Sequence, residues 1–100
     1  MMPSAIPNLR HVSHAEHQEA VQRALLVRLY DAGGTMPFAD LVAAMPVPRR
    51  HIWRAINAQH MIGNVKRHRD GQPITLTASA RSAIAAGRAM LTELREGIAA

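Results

Sequence analysis

The chain has 100 residues, 48% of them hydrophobic and 19% charged, which is enough for one folded domain and too hydrophobic for a disordered chain. It contains no cysteine, which excludes a disulfide framework and a cysteine-based metal site. The formal net charge is +5, no apolar run approaches the roughly 18 residues of a membrane span, and the N-terminus lacks the features of a signal peptide, so we expect a cytoplasmic protein.

A flexible tail, residues 1–12, is predicted to precede a single domain over residues 13–100. Ser13 and Glu16 have the spacing of a capping box, so the first helix begins there. Apolar residues then recur at three- and four-residue spacing until Gly33-Gly34 ends the helix.

A short second helix and a third helix are predicted on either side of a tight turn. Pro37 fits the first position of the second helix, which ends before Pro46, and Pro48 can open a third helix that runs to about His60. The residues predicted to be buried are Phe38, Leu41, Val42 and Met45, then Ile52, Trp53 and Ile56, and finally the pair Met61 and Ile62.

A β-hairpin is predicted next, because the Asp-Gly pair at 70–71 lies between two segments of alternating pattern. Val65 would face inward, with Ile74 or Leu76 opposite. Pro73 lacks a backbone N–H, which favours an edge position for the return strand.

The last helix is predicted to span about residues 78–96, with Thr77 as its cap. Its apolar residues step by four and three, which is a heptad-like seam. We expect residues 77–98 to pack on the first helix and to contact a second copy of the chain, mainly through Ile84, Leu91, Leu94 and Ile98. The alternative is a monomer that uses the whole seam for its own core.

The excess positive charge lies entirely between Pro46 and Leu76. Eleven of the twelve basic residues in the chain are arginines, so it is the clustering, not the arginine content, that indicates a surface for a polyanion. The cluster, opposed only by Asp70, consists of Arg49, Arg50, Arg54, Lys66, Arg67 and Arg69.

The order of helix, short helix, tight turn, helix, hairpin and helix resembles the winged helix-turn-helix regulators of the short MarR- and PadR-like types. The resemblance covers roughly residues 16–95, and the matching stretches are 34–41, 52–56, 60–67 and 76–81. It implies a mostly α fold with a β-hairpin wing (α+β), whose third helix enters the major groove of double-stranded DNA.

On the third helix, spacing of three and four places Arg50, Arg54 and Asn57 on one exposed stripe. Arginine can read guanine and asparagine can read adenine, so the stripe has the chemistry of base readout. The alternative is a solvated basic face. The predicted contacts of this helix are Arg49, Arg50, His51, Arg54 and Asn57.

The hairpin is predicted to contact the DNA backbone or the minor groove, which positions a protein without reading much sequence. The alternative is a charged edge that prevents aggregation between strands. The residues concerned are Lys66, Arg67, His68, Arg69 and Gln72.

Two other features have structural interpretations. Trp53 lies on the apolar side of its helix, which favours a place in the core or in a dimer contact. His11, His14 and His17 are spaced by three, but a polar start to the first helix is favoured over a metal site. We expect no metal, no cofactor and no catalysis, since no catalytic motif is present.

Together these features predict a small cytoplasmic, nucleoid-associated regulator that binds double-stranded DNA sequence-specifically as a homodimer and represses transcription. Whether it has a small-molecule effector stays open. Two alternatives also stay open: a winged-helix module for protein–protein interaction, and a sequence-independent architectural protein that binds nucleic acid.

Overall fold

The computed structural model describes residues 13–67 and 72–99, a mostly helical chain with one small antiparallel sheet, which confirms the predicted α+β class. The predicted tail and the tip of the hairpin lie outside these residues. The elements are α1 (His14–Asp31), β1 (Thr35–Met36), α2 (Phe38–Ala44), α3 (Arg49–Met61), β2 (Val65–Lys66), β3 (Ile74–Leu76) and α4 (Ala78–Ala99).

Local signals set the ends of α1. The Ser13 hydroxyl oxygen accepts a hydrogen bond of 3.0 Å from the backbone N–H of Glu16, as the capping-box spacing predicts. After the helix, the buried Gly34 has a φ of +103°, and a Cβ there would lie 3.4 Å from the side chain of Arg81. Glycine therefore allows both the turn and the close approach of α4.

The sheet has the order β1-β3-β2, so β3 is central and the prediction that Pro73 makes it an edge strand is wrong. Pro73 precedes the strand and removes no ladder hydrogen bond. The unpredicted strand β1, only two residues long, pairs with the free edge of β3 and is too short to show an alternating pattern. The predicted inward position of Val65 is confirmed, opposite Leu76.

The core lies where α1, α2 and α3 meet the sheet, and α3 packs chiefly against α1. Met61 and Ile62, predicted as a buried pair, are instead 82% and 67% exposed. They follow the last buried turn of α3, where the chain turns away through Gly63. The largest fully buried side chains are Leu25, Leu29, Leu41, Ile52, Ile56 and Val65.

The helix α4 packs on the domain only along its first half. The Thr77 hydroxyl accepts from the N–H of Ala80 at 3.3 Å, which confirms the predicted cap, and Ala80 and Ile84 contact the core. Arg88 forms an ion pair with Asp31 at the end of α1. Beyond that point the predicted seam is bare within the described residues: Leu91, Leu94 and Ile98 are 54%, 56% and 86% exposed.

Among the described helices, α4 included, none is both long enough and apolar enough to cross a membrane.

Candidate nucleic-acid interface

The face of α3 that points away from the core carries two exposed arginines. Arg50 and Arg54 lie within about 40° of each other around the helix axis, at 100° per residue. The buried residues Ile52, Ala55, Ile56 and Gln59 centre on the opposite side of the helix. Burial of that apolar face against α1 therefore forces the two arginines outward.

Two more cations follow α3 in the chain and lie beside it. Lys66 ends β2 and Arg67 comes directly after it; both are exposed, and β2 contacts α3. With the exposed Arg49 in the first turn of α3, they complete what we call the basic surface: Arg49, Arg50, Arg54, Lys66 and Arg67.

No acidic side chain neutralises the basic surface within the described residues. None of its five members forms an ion pair there, whereas Arg88, on α4, pairs with Asp31 at 2.8 Å. The first turn of α3 contains no acidic residue either. The surface therefore concentrates positive potential on one side of the domain, which favours an anionic partner.

Arg67 and Asn57 are brought together by the fold. The Arg67 guanidinium donates a short hydrogen bond through Nη1 to Oδ1 of Asn57, which is half-buried. Sequence spacing assigned Asn57 to base readout and Arg67 to the DNA backbone as independent contacts. The structure instead makes them a pair that joins α3 to the residue after β2.

Trp53 is not a core residue, which corrects one of its two predicted roles. Its side chain is 40% exposed, its ring meets the ring of Phe38 edge-on, and the guanidinium of Arg67 lies over it. Trp53 is offset by one residue from Ile52 and so lies at the margin of the buried face, where helix geometry leaves a large ring half in solvent.

His51 faces α1 instead of the exposed stripe. Its Nδ1 lies 3.2 Å from Nε2 of His17, and the two rings meet edge-to-face. Partial burial, followed by the charge of Arg50 and by His17, lowers the pKa of His51 below its ordinary value. The neutral imidazole can then serve as one partner of a hydrogen bond between α1 and α3.

Sequence reasoning missed a buried polar residue behind the basic surface. Gln59 is 5% exposed; its amide donates to Oε1 of Gln22 on α1 at 2.6 Å and accepts from Nδ2 of Asn64 at 2.7 Å. The signal was a polar residue three positions after Ile56, on the apolar stripe of α3, where only a hydrogen-bonded amide is tolerated. The Gln59 side chain thus holds α1, α3 and the turn before β2 together.

The remaining predicted site residues are less informative. Gln72 is exposed just before β3, while His68 and Arg69 lie outside the described residues. His14 is exposed and His17 contacts His51, whereas His11 lies outside the described residues. No group of three or more potential metal ligands occurs in the described part of the chain.

Comparison with known proteins identifies no relative. A scan against protein-family models, a search of curated proteins and a search of solved structures each found no match to this chain. The chemistry and geometry of the basic surface are therefore what bear on function.

Proposed function

We propose that this chain is a winged-helix protein that binds double-stranded DNA, with α3 in the major groove and the β2–β3 hairpin as its wing. The observation that carries the proposal is the basic surface: Arg50 and Arg54 on the exposed face of α3, Arg49 in its first turn, and Lys66 and Arg67 at the adjoining hairpin. None of these five cations forms an ion pair within the described residues. Sequence-specific regulation of transcription, with repression by occlusion of a promoter, is the biological role we infer.

The dimensions of α3 suit this role. An α-helix with its side chains is about 10–12 Å across, which fits a major groove about 12 Å wide, and the thirteen residues of α3 make it about 20 Å long. Arg50 and Arg54 occupy that face and can donate to guanine acceptors. Lys66 and Arg67 lie to one side of it, where groups that contact the phosphate backbone are needed.

A homodimer is part of the proposal. The bare stripe of Leu91, Leu94 and Ile98 continues the face of α4 that packs on its own domain, so a second α4 is an apt partner. Two copies of α3 would then reach half-sites about 34–36 Å apart on DNA.

The first test is fluorescence anisotropy of a labelled pool of random duplexes, titrated with the protein over a range of salt concentrations. If Arg49, Lys66 and Arg67 reach phosphates, log K should fall against log salt with a slope of about −3 per protomer, and a slope of about −4 to −5 means that Arg50 and Arg54 reach phosphates as well. The double variant Arg50→Ala/Arg54→Ala should weaken binding at least tenfold, by about 1 kcal/mol or more per contact. Arg23→Ala, which removes an exposed cation from α1, is the matched control and should bind like the wild type.

Two outcomes would contradict the proposal. Absence of duplex binding at low salt would remove DNA as the partner and favour a protein-interaction module built on the exposed stripe of α4. Equal affinity for every duplex in a selection would leave DNA binding intact but favour the sequence-independent architectural role.

A further inference from the structure

A continuous series of aromatic and cationic contacts crosses the basic surface. The guanidinium carbon of Arg49 lies 5.6 Å from the centre of the Phe38 ring. Phe38 meets Trp53 with 5.3 Å between ring centres and 78° between planes. On the far side the guanidinium carbon of Arg67 lies 5.7 Å from the centre of the Trp53 ring. The contacts therefore link α2, α3 and the end of β2.

Arg67 is held at two points by α3. Trp53 and Asn57 are four residues apart, so their side chains lie on the same face of α3, about one helical turn apart. The guanidinium carbon lies over the Trp53 ring at cation–π distance, and Asn57 accepts a hydrogen bond from the Nη1 atom of Arg67. Phe38 in turn fixes the ring of Trp53 by edge-to-face packing.

This arrangement leaves most of Arg67 available to a ligand. A guanidinium carries five N–H donors in a plane, and the hydrogen bond to Asn57 engages only one of its nitrogens. The side chain is exposed and forms no ion pair within the described residues. Arg67 is therefore oriented in advance, with free donors for a doubly hydrogen-bonded oxyanion such as a phosphate.

We propose that Trp53 and Asn57 are positioning residues that orient Arg67 as a phosphate-binding group beside α3. The proposal rests on the proposed binding of double-stranded DNA and adds that Arg67 acts through its planar, oriented guanidinium, not through its charge alone. Lysine at this position keeps the charge but can neither stack as a plane nor donate two parallel hydrogen bonds.

The test measures two quantities for Arg67→Lys and Arg67→Ala: the affinity for duplex DNA, and the slope of log K against log salt. Arg67→Lys should lose about fivefold in duplex affinity, the size of one cation–π contact, while it keeps the wild-type salt slope. Arg67→Ala should lose at least as much affinity and reduce the slope by about one unit. Trp53→Leu should match Arg67→Lys, and Trp53→Phe should recover most of the loss. Arg23→Lys on α1 is the matched control.

A second readout needs no DNA. Trp53 is the only tryptophan in the chain, so quenching of its fluorescence by acrylamide reports how well Arg67 covers its ring. Arg67→Lys should increase quenching, and Arg23→Lys should leave it unchanged.

The outcomes separate this inference from the function on which it rests. If Arg67→Lys binds duplex as the wild type does, or leaves the quenching of Trp53 unchanged, the positioning role is overturned while DNA binding stands. If the wild-type protein binds no duplex at all, the proposed function fails and the inference fails with it.

Discussion

At the scale of single residues, Gln59 shows what a buried amide can contribute. Helical spacing from Ile56 places it in the core, and its amide is tolerated there because it bonds to Gln22 and Asn64. By contrast, the Nε2 atom of Gln18 is buried on α1 without a hydrogen-bond partner in the described structure. Both glutamines bury a side-chain amide group, but the hydrogen bonds of Gln59 offset the cost of burial and Gln18 has no such compensation within the described residues.

This contrast predicts opposite effects of the same substitution. Gln59→Leu should lower the free energy of unfolding by about 1–2 kcal/mol, because the amides of Gln22 and Asn64 lose a partner. Gln18→Leu, the matched control, should be neutral or stabilising, because it removes an unsatisfied donor. Urea denaturation measures both, and equal stability of the two variants would show that the bonds of Gln59 contribute nothing net.

At the scale of elements, the contact between α1 and α3 decides how the basic surface is presented. Apolar packing supplies most of it, and the His17–His51 hydrogen bond lies near the start of both helices. That hydrogen bond requires at least one neutral imidazole, whose unprotonated ring nitrogen accepts the hydrogen bond from the N–H of the other ring. Partial burial, followed by the charges of Arg50, His17, Arg54 and His14, disfavours protonation of His51 and lowers its pKa.

Stability should consequently fall in mild acid. The pKa of folded His51 lies below its ordinary value of 6.5, so the unfolded chain takes up the proton first as pH decreases. The contribution of His51 is fully present above about pH 6.5 and declines below it. Melting temperatures between about pH 7.5 and 5.5 should drop more for the wild type than for His51→Gln. If the melting temperature of His51→Gln drops just as steeply as that of the wild type, groups other than His51 cause the loss of stability in acid.

At the scale of the whole molecule, the domain has two distinct exposed surfaces. The basic surface lies on α3 and the adjoining hairpin, and the apolar stripe lies on the second half of α4, past the contact of Arg88 with Asp31. In the proposed function the first surface binds DNA and the second contacts another copy of the chain. A dimer would place two basic surfaces on one assembly and so raise its affinity for DNA.

The dimer is tested by one added charge on either side of α4. Leu94→Lys should shift the protein from dimer to monomer in sedimentation velocity, because a lysine on the stripe would be desolvated in the interface. Ala89→Lys adds the same charge to the opposite face of α4 and should remain dimeric. Leu94→Lys should also weaken duplex binding while its far-ultraviolet circular dichroism stays that of the wild type, since Leu94 is 56% exposed within the protomer. A wild-type protein that sediments as a monomer would exclude this interface.

The sequence by itself determined the four helices, the caps Ser13 and Thr77, the hairpin with Val65 inside, and the clustering of positive charge; Pro37 and Pro48, predicted as first helical residues, instead precede α2 and α3 as N-cap residues. These features depend on residue spacing, turn chemistry and composition within short stretches of chain. The exposure of Met61 and Ile62 was predicted wrongly because local spacing does not show where a helix leaves the core.

Only the tertiary structure decided which distant side chains meet. The pairing of β1 with β3, the contacts of Gln59, and the place of Arg67 between Trp53 and Asn57 all join elements whose approach depends on packing. Asn57 and Arg67 are ten positions apart in the chain, and no periodicity of one element relates them. Their contact arises because burial of the opposite face of α3 fixes the direction in which the following hairpin returns.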